Sequence, residues 1–149
     1  MTSLKQINDF IDAQPVALVG ASRNPKKFGY AVFKELKEKG MKIVPVNPVA
    51  DEILGEKSYP NVKMLPSEIQ SIIVVTKKDQ TASVIRDAKE KGIKQIWIQQ
   101  MADSKEAMEE LKDSGINWIS GECILMYYKP HSMHKFHGAI KKFFGRFPK

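Results

Sequence analysis

Five short runs rich in Val and Ile recur along the chain, alternating with longer stretches of helical period. They are "VALVG" (16–20), "KIVPVNP" (42–48), "SIIVVT" (71–76), "KQIWIQ" (94–99) and "INWISG" (116–121). Continuous apolar runs of this length suit strands buried on both faces, as in a parallel sheet. The intervening segments predict helices over 28–39, 79–92 and 103–115. Val32, Phe33, Leu36 and Gly29 face inward from the first, Gly40 stops it, and Asp79 stands as the N-cap of the second, which Gly92 ends. Residues 49–66, punctuated by Gly55, Pro60 and Pro66, read as a loop. Strands alternating with helices specify an α/β fold: a Rossmann-like, doubly wound parallel sheet of about five strands with helices on both faces.

In such sheets ligands bind beyond the carboxyl ends of the strands, near the switch in strand order. Those ends are Gly20–Lys27, Asn47–Pro48, Thr76–Asp79 and Gln99–Met101. The first holds the most chemistry. "VALVGASRNPKKFGY" (16–30) runs from a buried strand through a tight turn into a helix. A dinucleotide fingerprint would read G-x-G-x-x-G, with an acid about 20 residues on. Here Ser22 replaces the second glycine, Gly29 comes too late, and the second strand ends in Asn47-Pro48. The G-x-x-x-x-G-K-[ST] pattern of a P-loop is also missing. What is present is a helix N-terminus, which attracts anions, with a Ser22 hydroxyl and the cations Arg23, Lys26 and Lys27 around it. That combination suits a nucleotide carrying more phosphate than a simple dinucleotide. Coenzyme A, with its pyrophosphate and separate 3′-phosphate, meets the description.

The segment from "VALVGASRNPKKFGY" through "VPVNP", Gly55 and Tyr59 resembles the small stand-alone CoA-binding proteins related to the CoA-binding domain of succinyl-CoA synthetase alpha subunits. "WIQQMADSKEAMEEL" resembles the Trp-x-Gln segment of that family, and Cys123 falls where the family often has a cysteine. The resemblance covers roughly residues 14–125. It implies a CoA-binding domain over 1–128, binding CoA or an acyl-CoA. Its phosphates would lie near Gly20, Ala21, Ser22, Arg23, Lys26, Lys27 and Gly29, with Asn47 and Pro48 lining the nucleotide crevice and Thr76 and Lys77 on the next strand end. Two positions depart from the family pattern. A proline is common after the third strand, where this chain has "TKKDQ", and a glycine is usual after Trp-x-Gln, where it has Gln100-Met101.

No catalytic constellation emerges. The phosphorylatable histidine of the wider ligase superfamily sits in a second domain, for which these 149 residues leave no room. His131, His134 and His137 have no acid near them in sequence, so no metal site is expected. Cys123 reads as a small buried residue at a strand end. A single cysteine and a polar, mixed-charge start point to a reducing, cytoplasmic setting.

The net charge of +7 is concentrated at one end. Residues 129–149 hold six bases and no acid, while residues 1–128 are almost neutral, with 18 bases against 17 acids. In "MHKFHGAIKKFFGRFPK" Met133, Phe136, Ile140, Phe143, Phe144 and Phe147 form an apolar stripe opposite Lys135, Lys141, Lys142 and Arg146. The tail thus reads as a basic amphipathic helix docked on the domain, on a second subunit of a homodimer or on a protein partner, in preference to a membrane. Nucleic acid ranks last, because no recognised motif accompanies the charge. Two alternatives stay open: an NAD(P)-binding redox module in which Arg23 reads a 2′-phosphate, and a protein that works through its tail as an anchor.

Overall fold

The computed structural model describes residues 2–129. Helix α1 (Leu4–Ile11) precedes strand β1 (Val16–Val19), helix α2 (Phe28–Glu38) and strand β2 (Ile43–Val46). A two-stranded hairpin follows, β3 (Glu52–Ile53) and β4 (Glu56–Lys57). The chain then enters β5 (Ser71–Val74), α3 (Lys78–Lys91), β6 (Gln95–Gln99), α4 (Lys105–Leu111) and β7 (Asn117–Glu122). Short 3-10 turns occupy Val62–Met64 and Ile124–Met126.

The main sheet is parallel throughout, in the order β2-β1-β5-β6-β7. The expected doubly wound architecture is therefore present. The chain moves outward from β1 to β2, then returns to place β5 on the other side of β1. That reversal sets the switch point between the ends of β1 and β5.

Alternation along each strand divides the core into two layers. Leu18, Ile73, Trp97 and Ile119 face α1, α2 and the 124–126 turn. Val19, Ile72, Val74, Ile96 and Ile98 face α3, α4 and the 62–64 turn. All four residues of β1 and all four of β5 are buried, which is why their sequence reads as an unbroken apolar run.

Three features differ from the sequence reading. Helix α1 was not expected: Ser3 and Gln6 form a reciprocal capping box, and the helix buries Ile7 and Phe10. Phe10 meets Trp97 edge-on at 5.4 Å, so this short helix closes the core over β6 and β7. The 49–66 segment contains the β3–β4 hairpin, which turns at Leu54 and Gly55, both at positive φ. Asp79 is not the cap of α3. The cap is Lys77, and Asp79 lies in the first helical turn. Residues 130–149, and with them the amphipathic tail and its three histidines, lie outside the described residues.

Candidate functional site

The turn after β1 is built around two close approaches. Gly20 has φ +100°, and a Cβ there would lie 2.9 Å from Val75 Cγ2 and 3.0 Å from the Val75 carbonyl carbon. Gly29, in the first turn of α2, sits directly against the Gly20 carbonyl oxygen, which a Cβ would overlap. In a dinucleotide fold the third glycine of the fingerprint allows this helix–strand contact. Here the same role falls to Gly29, nine residues after Gly20, so the turn has room for Ser22, Arg23, Asn24, Pro25, Lys26 and Lys27.

That longer turn is braced by its own side chains. Ser22 Oγ accepts from the Asn24 N–H at 3.0 Å, and Asn24 Oδ1 accepts from the Lys26 N–H at 3.0 Å. The Ser22 hydroxyl keeps its proton for another acceptor. Asn47, at the end of β2, donates from Nδ2 to the Ala21 carbonyl at 2.8 Å. Its Oδ1 accepts from the Val49 and Ala50 N–H groups, both at 2.8 Å. Both ends of the Asn47 amide thus hold backbone, tying the first turn to the second strand end. Arg23, Lys26 and Lys27 are exposed along the turn.

The third strand end is held by a buried hydroxyl. Thr81 Oγ1 lies 2.6 Å from the Ala102 carbonyl, 3.2 Å from the Lys77 carbonyl and 2.8 Å from Thr76 Oγ1. Thr81 has one proton, directed to the shortest partner, Ala102; the Thr76 hydroxyl then donates to Thr81 and presents its lone pairs outward. Thr81 therefore fixes the start of α3 against the turn after β6. The sequence offered no signal for this role beyond a Thr in a helix's first turn.

The helix N-caps are of two kinds. Helix α1 begins at Ser3 and α4 at Ser104, each accepting from a backbone N–H of the first turn. Helices α2 and α3 begin at Lys27 and Lys77 with no side-chain cap, although α4 starts at the same carboxyl edge of the sheet. Lysine is a poor N-cap, and its charge opposes the positive end of the helix dipole.

Two clefts open at this edge. The larger, about 370 Å³, lies beyond β1 and β2 against α3; Gly20, Val46, Pro48, Pro60, Val62, Thr76 and Val84 are among its lining residues. The smaller, about 190 Å³, lies between the start of α2 and the turn after β6. Thr76 borders both. The structure thus brings Gly20, Pro48 and Thr76 to one cleft and places Lys77 on the other, with the basic turn joined to this edge through Asn47. Pro60, Val62 and Val84 were not anticipated. Tyr59 is the signal that could have placed the first two: its carbonyl accepts from Asn47 N–H, carrying the following residues to the end of β2.

Cys123 is buried, and Gln99 Nε2 donates to its sulfur at 2.9 Å while Gln99 Oε1 accepts from Ile124 N–H at 3.0 Å. Burial is the main cause that pushes the thiol above its ordinary range, so it stays protonated at neutral pH. Among the described residues no group of His, Cys, Asp and Glu is arranged to hold a metal ion.

A family model described as a CoA binding domain matches residues 14–129. The chain belongs to this CoA-binding family. Its relatives include the alpha subunit of ADP-forming acetate–CoA ligase II of Pyrococcus furiosus, 34% identical over 126 residues. That match takes in 77% of this chain and 28% of the ligase subunit, so the CoA-binding chain spans under a third of that relative's length. A protein of Bacillus subtilis named YneT, described as uncharacterized, is 32% identical over 73% of this chain and 81% of its own length. Among solved structures, a hypothetical protein from Pyrococcus horikoshii superposes with a TM-score of 0.79 at 29% identity, covering 87% of this chain and 92% of that one. A conserved hypothetical protein from Pyrococcus furiosus does so with a TM-score of 0.73 at 39% identity, covering 76% and 97%. The resemblance to acyl-CoA ligase subunits thus extends to acetate–CoA ligases.

Proposed function

We propose that the protein binds coenzyme A or an acyl-CoA at the carboxyl edge of the sheet and catalyses no reaction itself. The observation that carries this reading is the pairing of caps with position: the two helices that begin at the clefts have lysine where α1 and α4 have serine. An anionic ligand supplies the missing cap and neutralises the lysine at the same time. The pyrophosphate would lie over Gly20–Ser22 at the start of α2, with Arg23, Lys26 and Lys27 around the ribose 3′-phosphate. Adenosine would occupy the larger cleft, where Val46, Pro48 and Val62 offer apolar surface to a flat base. Membership of the CoA-binding family supports the ligand class. On this reading residues 1–128 are the binding unit, the basic tail over 129–149 contacts the domain, a second copy or another protein, and the protein works in the cytoplasm.

Calorimetry with CoA and with 3′-dephospho-CoA tests the assignment. CoA should bind more tightly, and the gap should shrink in the Lys26→Ala/Lys27→Ala variant and at high salt, where exposed charges are screened. Equal affinity for the two ligands would remove the role given to the basic turn, and tight NADPH binding without competition from CoA would favour the redox alternative.

A further inference from the structure

The smaller cleft carries three observations that the phosphate site does not explain. Phe28, Val75, Met101 and Ala102 supply most of its surface, beside the polar Thr76, Lys77 and Gln99, so it is mainly apolar with a polar edge. Gln100 also lines it, and Gln100 Oε1 is buried without a hydrogen-bond partner among the described residues. Met101 is held at φ +78°, a left-handed conformation that side-chain-bearing residues adopt at a cost, and is 55% exposed. A buried acceptor lacking a donor, a large apolar side chain left in water and a strained backbone coincide at one place.

We propose that this cleft receives the acylated end of the ligand, and that the protein is selective for CoA thioesters of short, apolar acyl groups over free CoA. The inference rests on the CoA reading above. With adenosine in the larger cleft and the phosphates at the start of α2, the pantetheine arm runs past Thr76, the residue common to both clefts. An amide N–H of that arm donates to Gln100 Oε1, and the thioester and acyl chain lie between Phe28 and Met101. At about 30 Å³ per non-hydrogen group, 190 Å³ holds about six such groups, which the thioester and about two to four acyl carbons fill. Met101 is the specificity-determining residue. Its backbone conformation holds the thioether at the cleft, where acyl burial also takes methionine surface out of water.

The test is calorimetry on the full chain with 3′,5′-ADP, CoA, acetyl-CoA, butyryl-CoA and octanoyl-CoA. Affinity should rise from 3′,5′-ADP to CoA and by about threefold per methylene from acetyl to butyryl, below the roughly fourfold of complete burial. It should then fall at octanoyl-CoA. Met101→Gly, which suits the left-handed backbone, should bring acetyl- and butyryl-CoA within about twofold of each other, while Met101→Leu keeps the wild-type trend. Gln100→Leu should weaken CoA and its thioesters by about tenfold and leave 3′,5′-ADP unchanged. Wild-type affinity independent of acyl length, or a Met101→Gly variant that keeps the wild-type trend, would overturn the inference while leaving the nucleotide site standing. Failure of both CoA and 3′,5′-ADP to bind would overturn the CoA reading, and this inference with it.

Discussion

The contact between Gly29 and the Gly20 carbonyl leaves no volume for a methyl group. Gly29→Ala must therefore push α2 away from β1, at a cost of about 3 kcal/mol, read as a lowered urea midpoint with unchanged slope. Asn47 acts by a different physical route. Its amide satisfies one carbonyl and two N–H groups, so Asn47→Ala should cost about 2 kcal/mol and also loosen the turn that carries the phosphate contacts. The sequence reading places Asn47 along the nucleotide crevice; since its side chain also holds backbone at both ends, Asn47→Ala should lower ligand affinity through loss of positioning. Cys123 makes a prediction about pH. Burial raises its folded-state pKa above the unfolded value of about 8.5, so above that pH the unfolded chain loses a proton that the folded chain keeps. The contribution is fully present below that pH and is lost progressively as pH rises from there through the higher folded-state pKa. Urea unfolding between pH 7.5 and 10 should show a decline in stability that is shallower in Cys123→Ser, with Tyr127, also raised by burial, supplying a remaining part.

At the scale of elements, the five strands of the main sheet were legible because each is a self-contained apolar run; their observed bounds fall within those runs except that β7 extends one residue further, to Glu122. Helix α1 was not, since two buried residues three apart in an eight-residue helix make no visible period. Its capping box, Ser3 with Gln6, was the available signal. Asp79 misled for a related reason: cap preferences describe helices that satisfy their own ends, and α3 does not. This suggests an experiment in the reverse direction. Lys77→Ser would place Ser before Gln80 in the same S-x-x-Q spacing that α1 uses, and Lys27→Ser would cap α2. Each variant should stabilise the unliganded protein by about 1 kcal/mol, seen as a higher Tm, while binding CoA about three- to tenfold more weakly. A rise in Tm with unchanged affinity would separate the caps from the ligand.

For the whole molecule, the parallel sheet with helices on both faces follows from the sequence pattern, whereas the clefts do not. They arise where the chain leaves β1 and β5 toward opposite faces of the sheet, and their linings come from segments far apart in the chain, such as Pro60–Val62 and Val84. A loop sequence gives no register for such residues until the hairpin and Tyr59 fix them to the end of β2. The division of labour is likewise one of position. Ion pairs of Lys63, Arg86 and Lys89 with Asp87, Glu90, Glu106 and Glu110 lie on the α3–α4 side, while the cations assigned to the ligand sit at the carboxyl edge. The most direct measurement of the central claim is an amide NMR titration of the full chain with CoA. The account predicts shifts concentrated in 20–29, 47–50, 61–62, 76–81 and 99–102, with little change along β7 and α4. Shifts confined to β7, to α4 or to the C-terminal tail, or no shifts at millimolar CoA, would contradict it.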